Sequence, residues 1–379
     1  MWTPASAGLA AAPETECGGA ALRRFVQVNR RIVCRRGHMA VLCPVSLLET
    51  QGGSDIQNDL TCNAQRNPWL QPGGEVLAII YIALVAVIAK STGAYYVLFP
   101  ELAALSHDVF TRPRGAWARS PVHLALTPVL TAVAGMFFSH ALPYGYLSVS
   151  LTVATAIAVL LVLKSPIAPA ISAALLPLVL GVKSWWYAPG ILLGTALLAL
   201  LSVAWKRLIP RVTFRFPATT EDLVDSETEL SPSGYWWLIP LATFVVSAIF
   251  LVELTGLRFI LFPPLVVIGF EMFGHPTICP WAKRPLSLPL ACFLTALGGL
   301  IFAKLLGAGP AAAVCSMVWG IVVLRFFDLH VPPALAVALL PLIMRSPTLA
   351  YPLSVGLGTL LMTLWFLSYQ LVRGKWKLC

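Results

Sequence analysis

The sequence predicts an all-α integral membrane protein: two tandem repeats of six apolar helical segments, each repeat containing two short segments resembling half-helices. Three observations carry that reading. The chain is 58% hydrophobic and only 11% charged, against roughly 25% charged in a soluble domain, and its mean hydropathy is +0.82. Its two halves align on Gly, Pro and aromatic residues at one fixed offset. Its basic residues fall in alternate loops between apolar segments.

Residues 1–72 stand apart. They carry Arg23, Arg24, Arg30, Arg31, Arg35 and Arg36, then a stretch rich in Gln, Asn, Gly and Asp, with no apolar run long enough to span. No packed core is expected there. A targeting segment, a disordered tail and an over-extended start all remain open.

The first repeat occupies 73–206, with apolar segments near 75–92, 95–110, 121–140, 146–164, 167–182 and 186–206. A polar linker, 207–234, follows, basic at Arg207, Arg211 and Arg215 and acidic from Glu221 to Glu229. The second repeat, 235–372, has segments near 236–255, 258–273, 286–306, 310–327, 332–345 and 349–371, and 373–379 form a basic tail. An offset of about 163–164 lays Thr92-Gly93 on Thr255-Gly256 and Phe99-Pro100 on Phe262-Pro263. It also lays Ala174-Leu-Leu-Pro-Leu178 on Ala338-Leu-Leu-Pro-Leu342, and Tyr187 on Tyr351. That is the signature of an internal repeat.

Crossing about 30 Å of hydrocarbon takes about 20 helical residues. The second and fifth segments of each half fall short of that and carry proline at their starts, where the missing N–H costs least. With the N-terminus cytoplasmic, Arg112, Arg114 and Arg119, then Lys283 and Arg284, then the tail all fall on the cytoplasmic side, while Pro143-Tyr144-Gly145 and Gly307-Ala308-Gly309 outside are uncharged. With Lys183 and Arg345 as minor exceptions, this satisfies the positive-inside rule. Within each half both triplets run long, short, long, and they enter from opposite sides. That is the outline of an inverted repeat whose short helices meet near the midplane.

Helix N-termini favour anions, so the candidate substrate site comprises the four short-segment starts. In the first half these are Phe99, Pro100, Pro169 and Ala170; in the second, Phe262, Pro263, Pro264, Leu265, His330, Pro332, Pro333 and Ala334. Glu101 follows Pro100 directly, where it reads either as a simple cap of the helix start or as the candidate for proton coupling. It aligns with Pro264, so the anion is expected to prefer the second half.

Two stretches resemble signatures of the HPP family of membrane proteins. Pro276-Thr-Ile-Cys-Pro280-Trp-Ala282-Lys-Arg284-Pro285 is similar to its Pro-rich basic stretch, and His330-Val331-Pro332-Pro333-Ala334 to its His-Pro-Pro motif. Here Val331 splits the motif, Pro166 aligns with His330, and the usual glycine after the prolines is absent. The resemblance implies a tandem duplicated HPP-like domain and a membrane transporter, with nitrite or a similar small anion as substrate.

Other residues read simply. Lys90 aligns with Glu253, which suggests an ion pair between halves. Arg325, Asp328 and His330 read most simply as snorkelling residues, or, near a pore mouth, as a group that recruits an anion. Trp185, Trp186, Tyr187, Tyr235, Trp236 and Trp237 fit an interfacial belt. The eight cysteines include no CxxC, so neither a metal nor a cofactor is expected. No hydrolase, zinc-protease or phosphate-loop motif occurs, so an enzyme is not expected. The basic residues do not cluster on one face, so nucleic acid is not an expected partner. The expected partners are the lipid bilayer and a small anion, with a homo-oligomer left open. The setting is the plasma or inner membrane or an organellar envelope. A channel-like anion pore and a structural or sensory membrane protein are the alternatives to a transporter.

The charge pattern makes a direct prediction. Cysteine introduced at Pro217 should be labelled from the cytoplasmic side and cysteine at Tyr144 from the opposite side. Labelling of both from one side would rule out this topology.

Overall fold

Every apolar segment of the sequence becomes helix. This computed structural model describes residues 70–208, 232 and 234–376, all within one unit spanning Ala64–Cys379. The expectations for the N-terminal stretch to residue 69, the linker core and the last tail residues lie outside the described residues.

The first half runs α1 (Leu70–Thr92), α2 (Leu102–Thr111), a one-turn α3 (Ala116–Arg119), α4 (Pro121–Ala141), α5 (Tyr146–Leu163), α6 (Ala170–Leu180) and α7 (Tyr187–Leu208). The second runs α8 (Leu238–Thr255), α9 (Pro263–Gly274), α10 (Leu288–Leu306), α11 (Pro310–Phe326), α12 (Pro333–Leu339) and α13 (Ala350–Trp376). The order of long and short helices is therefore the same in both halves. A 3₁₀ turn precedes α2 at Tyr95–Val97 and α9 at Arg258–Leu261. Among the described residues, seven helices are long and apolar enough to cross a membrane, and α11 falls just below that length. The protein is a multi-pass integral membrane protein.

The long helices divide their surface. On α1, Val76, Ile80, Leu84 and Val87 form one exposed stripe, while Ala78, Ile82, Val85 and Ala89 are buried. Spacing of three and four residues puts each set on one helix face, and the exposed apolar stripe is the lipid-facing one. The short helices have no such division: Ala170 to Val179 in α6 and Pro263 to Phe273 in α9 are all buried. They are also shorter than their apolar runs suggest. The segment expected from residue 95 becomes a 3₁₀ turn, a break around Pro100 and ten residues of helix.

Contacts between the halves are reciprocal. The first helix of each half packs on the fourth-segment helix of the other, α1 on α11 and α8 on α5. The second packs on the other half's fifth-segment helix, α2 on α12 and α9 on α6. Lys90 lies against Gly309 and Glu253 against Gly145, each in the opposite half's loop. These two charges do not pair with one another, which corrects the ion pair suggested by their alignment: each helix end reaches across the interface to a loop instead.

Close approach of backbones sets the short helices in place. A Cβ on Gly135 would meet the Ala174 carbonyl of α6, and one on Gly299 the Ala338 carbonyl of α12. Small residues permit such approach in membrane helices. In the first half α4 adds side-chain bonds: Thr131 Oγ1 donates to the Ala170 carbonyl at 2.7 Å and Ser139 Oγ to that of Val182 at 3.0 Å.

Proline and tyrosine then act together. Pro177, inside α6, has no N–H for the carbonyl four residues back, Ala173. The Tyr187 hydroxyl donates to that carbonyl at 2.7 Å. Pro341 stands in the same relation to Val337, and the Tyr351 hydroxyl donates there at 2.6 Å. Tyr187 is thus buried rather than part of an interfacial belt, and Trp237 is buried with it, whereas Trp185, Trp186, Tyr235 and Trp236 are exposed.

Tyr187→Phe should destabilise the protein by about 1–3 kcal/mol, because it leaves a buried carbonyl unmet. In a Pro177→Ala background, where an N–H is restored, the same change should cost clearly less. Thermal unfolding in detergent of the four proteins in this cycle tests the coupling; equal costs in both backgrounds would refute it.

Candidate functional site

The site follows from how the short helices begin. Pro100 and Pro169 bend the chain into α2 and α6, and Pro263, Pro264, Pro332 and Pro333 do so for α9 and α12. Phe99, Pro100, Pro169, Ala170, Phe262, Pro263, Pro264, Leu265, Pro332, Pro333 and Ala334 are all buried, while His330 is half-buried before α12. Packing brings α2 to α12, α6 to α9 and α9 to α12. The predicted starts therefore belong to one group of four enclosed short helices.

The first turns leave few donors free. Leu102 N–H donates to the Phe99 carbonyl at 2.9 Å and Ala103 N–H to that of Pro100 at 3.0 Å. At α6, the Ala170, Ile171 and Ser172 N–H groups donate to Ile167, Ala168 and Pro169. At α9 the first two residues are prolines, and Leu265 N–H donates to Phe262 at 2.9 Å. At α12, Ala334 and Leu335 donate to Val331 and Pro332. Without water in hydrocarbon, backbone groups are satisfied internally. The expected preference of an anion for the second half rested on the missing carboxylate at Pro264, and Pro263 and Pro264 have no N–H to offer one.

The first half holds the polar centre instead. Glu101, at the start of α2, is 1% exposed. The side chain acting on its carboxyl is Ser172, in the first turn of α6, although neither the Glu101 oxygens nor Ser172 Oγ completes a hydrogen bond of good geometry. The carboxyl is also within electrostatic reach of the Tyr187 and Tyr351 hydroxyls. So the starts of α2 and α6 face each other, and the other half supplies Tyr351. At the corresponding positions of the second half, Pro264 and Ala336 offer nothing polar.

A second polar group lies at the far end of α2. Asp108, fully buried, pairs with Arg112. Glu75 of α1 pairs with Arg325 of α11, and His107 Nε2 lies 3.9 Å from it. Arg325 is thus a tie between halves rather than a simple snorkelling residue, and Asp328 pairs with Arg284 at 3.0 Å. In the second half Glu271, buried in α9, occupies the place of Asp108, and His275 that of Arg112. Burial lowers the affinity of the His275 imidazole for a proton. Asp108 and Glu271 are not among the candidate residues of the sequence. The available signal was an acid 163 residues apart in both halves, inside a short apolar segment, where an ionisable side chain is costly unless it has a role.

The opposite loops meet through aromatic and charged groups. The Arg258 guanidinium sits 5.4 Å from the Tyr144 ring centroid. Burial, opposed by Arg258 and reinforced by Glu253, pushes the Tyr144 phenol up to about 12.

Residues 68–215 match the family model of the HPP transmembrane region, which takes in α1 to α7. No curated protein and no solved structure matches the chain.

Breaking the buried pair should be expensive. Arg112→Met strands the Asp108 carboxylate and should cost about 3–5 kcal/mol, read as a fall in thermal stability in detergent. Asp108→Asn combined with Arg112→Met should recover most of the loss. No recovery would show that Arg112 acts mainly through other contacts.

Proposed function

For a chain that is an HPP-family membrane protein, we propose a multi-pass transporter of a small anion, nitrite-like in size and charge, with its site where the starts of α2 and α6 face each other. The single observation that supports this best is Glu101 beside Ser172, enclosed between short helices that both halves hold in place. Discontinuous helices meeting inside a bundle are the usual setting of transporter sites. The two halves are read as a tandem duplication of one HPP-like domain, with both termini cytoplasmic. Reciprocal packing then supplies a natural moving joint. Glu75–Arg325 ties the halves at one end of α1, and the Tyr144–Arg258 contact ties them at the loop side. Alternate release of these two ties would expose the centre to one side at a time.

A channel-like anion pore is the second reading. It is less favoured because the short helices are fully buried and closely packed around the centre. Reconstituted protein should take up nitrite above protein-free vesicles, with a rate that saturates as concentration rises. A rate that stays proportional to concentration would favour the pore. Folded protein that moves no small anion would leave the structural or sensory role.

A further inference from the structure

The end of α7 is fastened to α2 and α3. Trp205 Nε1 donates to the Phe110 carbonyl at 3.2 Å, and its ring meets the Phe110 ring edge-on at 6.4 Å. One residue on, the Lys206 ammonium donates to the Ala118 carbonyl of α3. These bonds hold Lys206 beside Arg119, the last residue of α3, and the two cations lie within electrostatic reach of each other. Arg119 is exposed and Lys206 half-buried.

Like charges held together repel, and more so beside hydrocarbon than in water. Among the described residues neither cation forms an ion pair, and Asp108, on the same side of the first half, is spent on Arg112. The second half is arranged otherwise. An offset of 164 lays Arg119 on Lys283 and Lys206 on Gln370, so one of the two charges is gone. Next to Lys283, Arg284 is met by Asp328 at 3.0 Å. The corresponding residues of the first half are Ser120 and Lys164. Lys164 and Asp328 share the same left-handed backbone, with φ of 48° and 50°, so the first half places a further cation where the second half places an acid.

The remaining donors suit a phosphate. Ala118 takes one of the three ammonium hydrogens of Lys206, and the Arg119 guanidinium presents a planar fork that matches phosphate oxygens. The helices beside them suit hydrocarbon. Helix α4 packs on α7, with Thr195 Oγ1 donating to the Ala125 carbonyl at 3.2 Å. Both expose apolar side chains to lipid, Val122 and Leu126 on α4 and Leu200 and Leu208 on α7. A free phosphate would meet the cations alone, whereas a phospholipid meets the cations and the apolar surface together. We propose that Arg119 and Lys206 bind the phosphate of an anionic phospholipid whose acyl chains lie along α4 and α7. Basic sites between membrane helices are the usual seats of such headgroups. The lipid offsets a repulsion that the fold itself creates, and it does so at the first half only.

The test is native mass spectrometry of the full chain in a neutral detergent. Phosphatidylglycerol is the anionic probe, phosphatidylcholine the zwitterionic one, and inorganic phosphate the competitor. Phosphatidylglycerol should bind about tenfold more tightly than phosphatidylcholine and lose affinity as salt rises. Arg119→Gln combined with Lys206→Gln should weaken it by about tenfold or more. Arg119→Gln alone keeps the bond from Lys206 to Ala118, so it reads the site even where the double variant does not fold; it should cost about fivefold. Lys283→Gln, at the equivalent place of the second half, should leave the affinity unchanged. Equal binding of the two lipids by the unaltered protein, undiminished affinity in Arg119→Gln, or an equal loss in Lys283→Gln would each overturn the site. Inorganic phosphate that displaces the lipid at equal concentration would assign the two cations to soluble phosphate and overturn the lipid.

Discussion

In hydrocarbon every backbone carbonyl needs a donor, and the arrangement of this protein turns on two carbonyls that its own prolines deprive of one. Pro177 and Pro341 leave Ala173 and Val337 unmet, and the hydroxyls of Tyr187 and Tyr351 fill both places. Each tyrosine sits at the start of the last long helix of its half. The bond therefore fixes that helix against the middle of the short one, at a point no generic apolar contact would specify. The same geometry carries the two phenols toward Glu101. A requirement of backbone chemistry thus brings polar groups into the centre of an apolar bundle, where they would otherwise be costly.

From that centre outward the two halves match in backbone and differ in chemistry. Gly135 and Gly299 lie under equivalent carbonyls, and α1 and α8 reach equivalent loops in the opposite half. The side chains at the junction of the short helices do not match: Glu101 and Ser172 stand in one half, Pro264 and Ala336 in the other. The second half still takes part, since Tyr351 and α12 help enclose the first half's carboxyl. One half holds the polar site and the other forms part of its wall.

Much of this was legible in the sequence, and what was missed has physical reasons. Segment order, the brevity of the second and fifth segments and their proline starts follow from hydropathy and length alone. The Tyr187 assignment failed because aromatic residues near a segment end usually mark an interface. Its partner lies fourteen positions back, on another helix, so no periodicity joins the two. The opposite charges at Lys90 and Glu253 suggested a pair because alignment reports equivalence, and equivalent positions in a reciprocal interface each face the other half's loop rather than one another. The α9 start looked open to an anion because Pro264 carries no charge; the same residue carries no N–H either. Asp108 and Glu271 were hidden by reading each charge alone, although together they mark the same place in both halves.

The reciprocal packing has a consequence for biogenesis. Helices α2 and α6 are covered by α12 and α9, which lie more than 150 and more than 80 residues further along the chain. Insertion proceeds from the N-terminus, so the first half enters the bilayer before its covering helices exist. Until they arrive, the short helix bearing Glu101 and Asp108 lacks its proper wall. Assembly is completed only when the last quarter of the chain has been inserted. A chain cut short after α11 would thus leave an ionisable residue beside lipid or a holding factor, a state that membrane quality control is suited to recognise.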